Sequence, residues 1–184
     1  PAPRFDAFPG DPLAYATSTP GDGSGTRLTA VDPGTGEVRW DAQVPGTVRP
    51  VGTADGSVVL LALDPVYGEA RAVVRYTPGT REMHETRLAV PLPQAEATVH
   101  GGVAYLTGAG GRLLAVDPAA SRPRWSLETG VARTSAPATD GRHVYVTAPD
   151  GRLLAVDARR GRLLGQTAAR LGKAADRVPA ALPA

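Results

Sequence analysis

The sequence predicts an all-β fold, a β-propeller of four-stranded antiparallel blades, with about four blades present. The heptapeptide Gly111–Asp117 returns unchanged as Gly151–Asp157, 40 residues later, and Thr26–Asp32 is a looser copy. A period of about 40 residues made of short strands is typical of propeller blades. Both faces of the strand Leu113–Val116 are apolar, as expected where a neighbouring sheet covers each side.

The last complete repeat shows how one blade is built. Asp140-Gly141 is a tight-hairpin signal, and the alternating, β-branched segment after it reads as a strand. Further turns follow at Asp150-Gly151 and after Asp157. The repeat therefore predicts a meander of four strands: Arg133–Thr139, His143–Thr147, Arg152–Val156 and Arg162–Gln166.

The rest of the chain divides at the same signals into one propeller segment over residues 1–184. The predicted blades cover approximately residues 1–45, 46–90, 91–129 and 130–171, and residues 172–184 begin a further blade. The third blade matches the fourth turn for turn. The second contains a longer connection, Asp64–Ala70, and has Thr77 where the other blades have aspartate.

Each blade carries marked positions at and after its third strand. Asp32, Asp117 and Asp157 end that strand before a turn, which predicts hydrogen bonds from turn amides to their carboxylates. Thr77 is expected to form the same contact more weakly. Trp40 and Trp125 both lie eight positions after an aspartate. This shared spacing favours packing between blades over a ligand platform, since one aromatic ring buries about 150–250 Å².

These positions follow the pattern Ala-x-Asp-x-x-x-Gly-x-x-x-Trp, which Ala30, Asp32, Gly36 and Trp40 fill completely. The pattern resembles the PQQ-like repeat of bacterial eight-bladed propellers, found in quinoprotein dehydrogenases and in non-enzymatic relatives. The resemblance implies that the tryptophan of one blade docks onto the next, and that this chain is about half of such a propeller.

Three positions depart from the pattern. Ser121 replaces the glycine that Gly36 and Gly161 provide, while Glu85 and Gly165 stand where tryptophan is expected. We therefore expect weaker docking after the second blade and after the fourth.

The residue types argue against catalysis. The sequence has no cysteine and no asparagine, whereas the resemblance implies, for many quinoprotein enzymes, a Glu/Asn/Asp calcium site and a disulfide over the quinone. His84, His100 and His143 are too scattered for a zinc-binding motif. Gly108–Gly111 joins two strands and opens no helix, so it reads as a hairpin and not as a phosphate loop. We expect no enzymatic activity, no catalytic residue, no metal site and no bound cofactor.

Charge is distributed unevenly. Residues 1–92 carry 8 arginines against 11 acids, and residues 93–184 carry 11 arginines and Lys173 against 7 acids. The arginines are dispersed, without the interleaved aromatics of a nucleic-acid surface, so no nucleic-acid partner is expected. No apolar run approaches the roughly 18 residues of a transmembrane helix, so direct membrane insertion is not expected.

The sequence thus predicts a non-catalytic binding, sensing or scaffold module. Composition and repeats most resemble the C-terminal propellers of actinobacterial Ser/Thr kinases, which implies a sensor role. The alternatives are an envelope protein-assembly scaffold and a fragment of a quinone-dependent dehydrogenase. The expected partner is another protein, the remainder of a longer propeller or a second copy, and small ligands stay unknown. The bacterial compartment, envelope or membrane-associated cytoplasm, stays open, as does the choice between an open arc and a closed ring.

Overall fold

Four antiparallel sheets follow one another along the chain. A computed structural model describes residues 4–169, and the expected start of a further blade at residues 172–184 lies outside them. Each sheet is a meander of four sequential strands, which confirms the predicted all-β propeller architecture. Within the described residues, no helix is long and apolar enough to cross a membrane.

The four sheets are called blades A to D, in chain order. Blade A contains β1 (Arg4–Ala7), β2 (Ala14–Ser18), β3 (Thr26–Val31) and β4 (Val38–Val44). Blade B contains β5 (Thr47–Ala54), β6 (Ser57–Leu63), β7 (Ala70–Thr77) and β8 (Glu82–Leu92). Blade C contains β9 (Glu96–His100), β10 (Val103–Thr107), β11 (Arg112–Val116) and β12 (Trp125–Glu128). Blade D contains β13 (Ala138–Thr139), β14 (His143–Thr147), β15 (Leu153–Asp157) and β16 (Leu163–Gln166).

The first strand of blade D is shorter than predicted. A strand was expected over Arg133–Thr139, whereas only Ala138–Thr139 pairs with β14. Pro137 has no amide hydrogen to donate to a sheet ladder. The preceding segment is instead held by an isolated hydrogen bond, in which the Ser135 amide donates to the Thr147 carbonyl at 2.9 Å.

The first strand of each blade lies at the inner edge of the arc. β5 contacts β9, and β9 contacts β13, although these strands belong to different sheets. Among the described strands, each of these pairs on one side only, at the edge of its own sheet. The fourth strands lie at the opposite, outer edges.

Apolar packing joins consecutive blades. One buried cluster links blades A and B, a second links B and C, and a third links C and D. Among the described residues, no such cluster joins blade D to blade A. Within residues 4–169, the four blades therefore form an open arc, with one sheet face at each end that no described blade covers.

Candidate binding groove at the inner edge of the blades

A groove of about 480 Å³ runs along the inner edge of the arc, where all four blades meet. We call it the axial groove. Its lining is mainly apolar or hydroxyl-bearing, and among the described residues that line it His100 is the one ionisable side chain. The groove is lined by Phe8, Pro9, Val51, Gly52, Thr53, Ala97, Thr98, Val99, His100 and Thr139.

Hydrogen bonds between blades fix the strands that form this groove. Arg49 of β5 donates from Nη2 to the Ala95 carbonyl at 2.5 Å, just before β9 begins. Thr98 of β9 donates to the Pro137 carbonyl at 2.6 Å, just before β13 begins. Backbone carbonyls that no sheet neighbour uses are thereby satisfied, and the inner strands are held side by side.

Two glycines let these inner strands approach closely. A Cβ on Gly52 would collide with the Val99 side chain, and a Cβ on Gly141 would come within 2.6 Å of the His100 ring. Gly141 also has φ of +87°, a conformation that favours glycine. The floor of the axial groove therefore depends on residues that lack a side chain.

An aromatic cleft adjoins the axial groove between blades A and B, and the two share Pro9 and Thr53. Tyr15 lies 5.9 Å from Phe8 and 6.0 Å from Trp40, measured between ring centroids. The Tyr15 hydroxyl donates to Asp11 Oδ2 at 2.8 Å. Burial, together with this carboxylate, raises the pKa of Tyr15, so the phenol stays protonated and remains a hydrogen-bond donor.

The predicted aspartates organise turns outside the groove. Asp32 Oδ1 accepts the Gly34 amide at 2.9 Å, and Asp157 Oδ1 accepts the Arg160 amide at 2.8 Å. These bonds lower the pKa of both carboxyls; for Asp32 the Arg39 guanidinium contributes most, and for Asp157 the Arg160 amide does. Asp117 also accepts a turn amide and Arg124. The three carboxylates lie in separate turns of different blades and do not form one site.

In blades A and D, one turn contains both a backbone hydrogen bond across the turn and an aspartate that accepts turn amides. In blade B, these two features lie in different turns. The Arg81 amide donates to the Thr77 carbonyl at 2.7 Å, as the Gly36 amide does to the Asp32 carbonyl at 2.7 Å. Thr77 thus occupies the predicted turn position. Its hydroxyl, however, contacts the Ser57 hydroxyl at 2.9 Å, so the expected side-chain bond to turn amides is wrong for this residue.

The carboxylate turn of blade B lies in the connection between β6 and β7. Asp64 Oδ1 accepts the amides of Val66 and Tyr67 at 2.9 and 2.8 Å. The sequence contained a signal for this turn, because Asp64-Pro-x-x-Gly-Glu-x-Arg71 repeats the residue pattern of Asp32-Pro-x-x-Gly-Glu-x-Arg39.

Trp125 docks blade C onto blade D. Its Nε1 donates to the Ala158 carbonyl at 2.9 Å, and its ring covers Gly161, where any Cβ would collide with it. Trp40 lies between Tyr15 of its own blade and Tyr76 of blade B, with a ring-centroid distance of 5.9 Å to Tyr76. Both tryptophans lie on a blade face turned towards the next blade.

Between blades B and C, the docking residue is Thr86, and the assignment of Glu85 to that position is wrong. The buried Thr86 hydroxyl lies within hydrogen-bond distance of the Asp117 and Ala120 carbonyls, at 3.2 and 2.5 Å. In blades A and D the register shifts at Ala30/Val31 and Ala155/Val156, but β7 and β8 pair without a shift near Thr77. One residue of register reverses the face to which a side chain points, so Glu85 is exposed.

The chemical groups of the axial groove suit binding of a partner. Within residues 4–169, no group of three or more His, Cys, Asp and Glu side chains is placed to hold a metal ion. The axial groove combines apolar side chains with inner edge strands that are paired on one side only. Such edges present backbone donors and acceptors to an added extended strand.

Comparison with protein families shows to which family the chain belongs. The family model described as outer membrane protein assembly factor BamB matches residues 81–183, more than half of the 184 residues. The chain belongs to this family of PQQ-like repeat propellers. The match extends from the turn after β7 through blades C and D. Among curated proteins, none matches the sequence.

Two solved structures of AztD share the fold of this chain. Apo AztD from Citrobacter koseri superposes with a TM-score of 0.59 at 13% identity, covering 91% of this chain and 46% of that one. A second AztD structure from that organism gives 0.59 at 12% identity, covering 87% and 45%. BamB from Moraxella catarrhalis gives 0.39 at 16% identity, covering 88% and 62%. The chain spans about half the length of the AztD structures.

Proposed function

We propose that this segment is a non-catalytic propeller module that binds a short extended segment of a protein partner in the axial groove. The observation that carries the proposal is the convergence of four blades on one mainly apolar groove beside edge strands. Apolar pockets between alternate side chains would supply specificity, and backbone groups of β5 and β9 would supply hydrogen bonds, as in strand addition generally.

Membership of the family described as outer membrane protein assembly factor supports protein binding as the class of function. On that basis we further propose a scaffold role in protein assembly at the bacterial cell envelope. The sensor role in a Ser/Thr kinase stays a prediction from the resemblance of composition and repeats.

Selection from a displayed library of random linear peptides tests the groove. Peptides selected on the wild type should perturb the backbone NMR resonances of residues 51–54 and 97–100. Replacing Thr53, a half-buried lining residue, with arginine should fill the groove and weaken peptide binding by about tenfold or more. Val66→Arg, at a 77% exposed turn residue outside the groove, is the matched control. Peptides that bind equally to both variants would contradict the proposal.

Titration with PQQ and calcium tests the non-catalytic part. We expect no stoichiometric binding and no dye reduction with alcohols or sugars, because the described lining of the axial groove contains no carboxylate and only one ionisable side chain, His100. Stoichiometric binding together with turnover would favour the dehydrogenase-fragment alternative.

A further inference from the structure

The uncovered face of blade D repeats a surface that is buried at other junctions. Ala30 pairs across its sheet with Tyr15 and Trp40, and Ala115 pairs with Tyr105 and Trp125. The next blade covers both rows. In blade D the same row is Tyr145, Ala155 and Gly165, and no described blade covers it.

Exposure shows the same contrast at the neighbouring leucines. Leu28 of blade A and Leu113 of blade C are 0% exposed, whereas Leu153 of blade D is 40% exposed. Asp140 also binds the Tyr145 hydroxyl at 3.3 Å, as Asp11 binds Tyr15 at 2.8 Å. Blade D therefore carries a face with the residues of a blade junction, and no described part of the chain covers this face.

Blade A carries the complementary face. Val144 and Val156, which blade C buries completely, correspond to Ala14 and Val31, which are only half-buried. Phe5 pairs with Ala16 on this side of the sheet and is 64% exposed.

The Asp32 turn on blade A also matches the turn that receives Trp125. Gly36 and Gly161 have φ of +72° and +66°. Trp125 covers Gly161, whereas a Cβ on Gly36 would meet nothing within 4 Å. Blade A thus holds an uncovered acceptor for a side chain at the tryptophan position of another blade.

The charges of the two end blades are opposite. Residues 1–45 contain three arginines against six acids, a net charge of −3, and residues 130–169 contain six arginines against three aspartates, a net charge of +3. Opposite charge favours the encounter of these two blades across an interface and disfavours pairing of either blade with itself.

We propose that the chain self-associates head to tail, with the exposed face of blade D on the exposed face of blade A in a second copy. Two such junctions related by a twofold axis would close a ring from two arcs of four blades each. Two copies of this chain would together match the length of the AztD chain, of which one copy covers 46%. The proposed junction uses the surfaces of blades D and A that are equivalent to those joining blade C to blade D. It differs in one position, because Gly165 stands where blade C has Trp125.

Sedimentation velocity over a range of protein concentrations tests the proposal. We expect a monomer–dimer equilibrium that weakens as salt is added. Leu153→Arg on blade D should abolish it. Thr29→Arg on blade A should abolish it too, because Thr29 pairs with Ala16 on the same exposed face as Phe5. Val66→Arg, exposed and remote from both faces, should associate like the wild type. Circular dichroism of each variant checks that the fold is retained.

Two further arms make the test specific. Gly165→Trp should tighten association by about tenfold or more, since buried interface tryptophans contribute strongly; a Cβ at Gly165 meets nothing within 4 Å. An equimolar mixture of Leu153→Arg and Thr29→Arg should recover dimers with one intact junction. Monomers for both the wild type and Gly165→Trp would overturn the proposal, and so would unchanged association of Thr29→Arg. Leu153→Arg should leave peptide binding in the axial groove unchanged, which separates this test from that of the proposed function.

Discussion

Blades C and D contain the same heptapeptide, Gly-Arg-Leu-Leu-Ala-Val-Asp, yet its first leucine has opposite surroundings in the two blades. Leu113 is 0% exposed because blade D packs against it, and Leu153 is 40% exposed because no described blade follows. Backbone pairing of the two segments is nearly the same. Local sequence therefore determines the strand, while the neighbouring blade determines how much that strand contributes to stability.

The largest expected difference comes from the same substitution at these two leucines. Leu113→Ala should lower the free energy of unfolding by about 4 kcal/mol, because Leu113 is fully buried and its truncation leaves a cavity between two blades. Leu153→Ala should cost less than about 1 kcal/mol in dilute solution, because water already reaches that side chain. Urea unfolding of both variants measures the difference, and equal costs would mean that the two faces are equally covered.

The second largest effect on stability should come from removing the Trp125 ring at the junction between blades C and D. Trp125→Ala should cost about 3 kcal/mol, at the low end for aromatic truncation, because the ring is half-buried. Gly165→Ala, at the corresponding position of blade D, should change stability by less than about 0.5 kcal/mol. Chemical denaturation gives both values. A cost below about 1 kcal/mol for Trp125→Ala would show that the ring does not hold the blades together.

The junction between blades B and C offers a smaller test. Thr86→Val keeps the shape of the side chain but leaves the Asp117 and Ala120 carbonyls without this donor, and we expect a loss of about 1–2 kcal/mol. Glu85→Ala, at the position that spacing alone would select, should be nearly neutral because Glu85 is exposed. The reverse ranking in thermal unfolding would restore Glu85 as the docking residue.

The smallest effect should be a gain of stability in the Thr77 turn. Arg81 has φ of +60° where the equivalent Gly36 and Gly161 have +72° and +66°. Arg81→Gly should stabilise the protein by up to about 1 kcal/mol, since glycine adopts this conformation without steric cost. Arg81→Ala should bring no such gain, because alanine has the same restriction. Comparing the melting temperatures of the two variants separates backbone strain from loss of the arginine charge.

Repetition made much of the fold predictable. The turn aspartates and tryptophans recur at fixed spacing, and the tight hairpins delimit most strands to within two residues. Thr86 was not predictable in this way, because the register of β7 and β8 lacks the shift that places Trp40 on the inter-blade face. The shortening of β13 follows from Pro137, whose effect depends on its pairing side.

The axial groove could not be predicted from the sequence, for a different reason. Its lining residues come from four segments far apart in the chain, such as Phe8 and Thr139, and they meet only after the blades have stacked. No single segment carries a motif for it. Gly52 and Gly141 read as strand and turn glycines, and only the packed structure shows that they admit Val99 and His100.

Thiol labelling tests the central comparison most directly, because the sequence contains no cysteine. Leu113→Cys and Leu153→Cys would each place one thiol at the same position of the same heptapeptide. In dilute, native protein, Cys at position 153 should react with a maleimide reagent at a rate close to that of an exposed thiol, and Cys at position 113 should react far more slowly. Both should react equally fast in denaturant. Equal rates in the native protein would contradict an open arc in which blade D alone leaves this face uncovered.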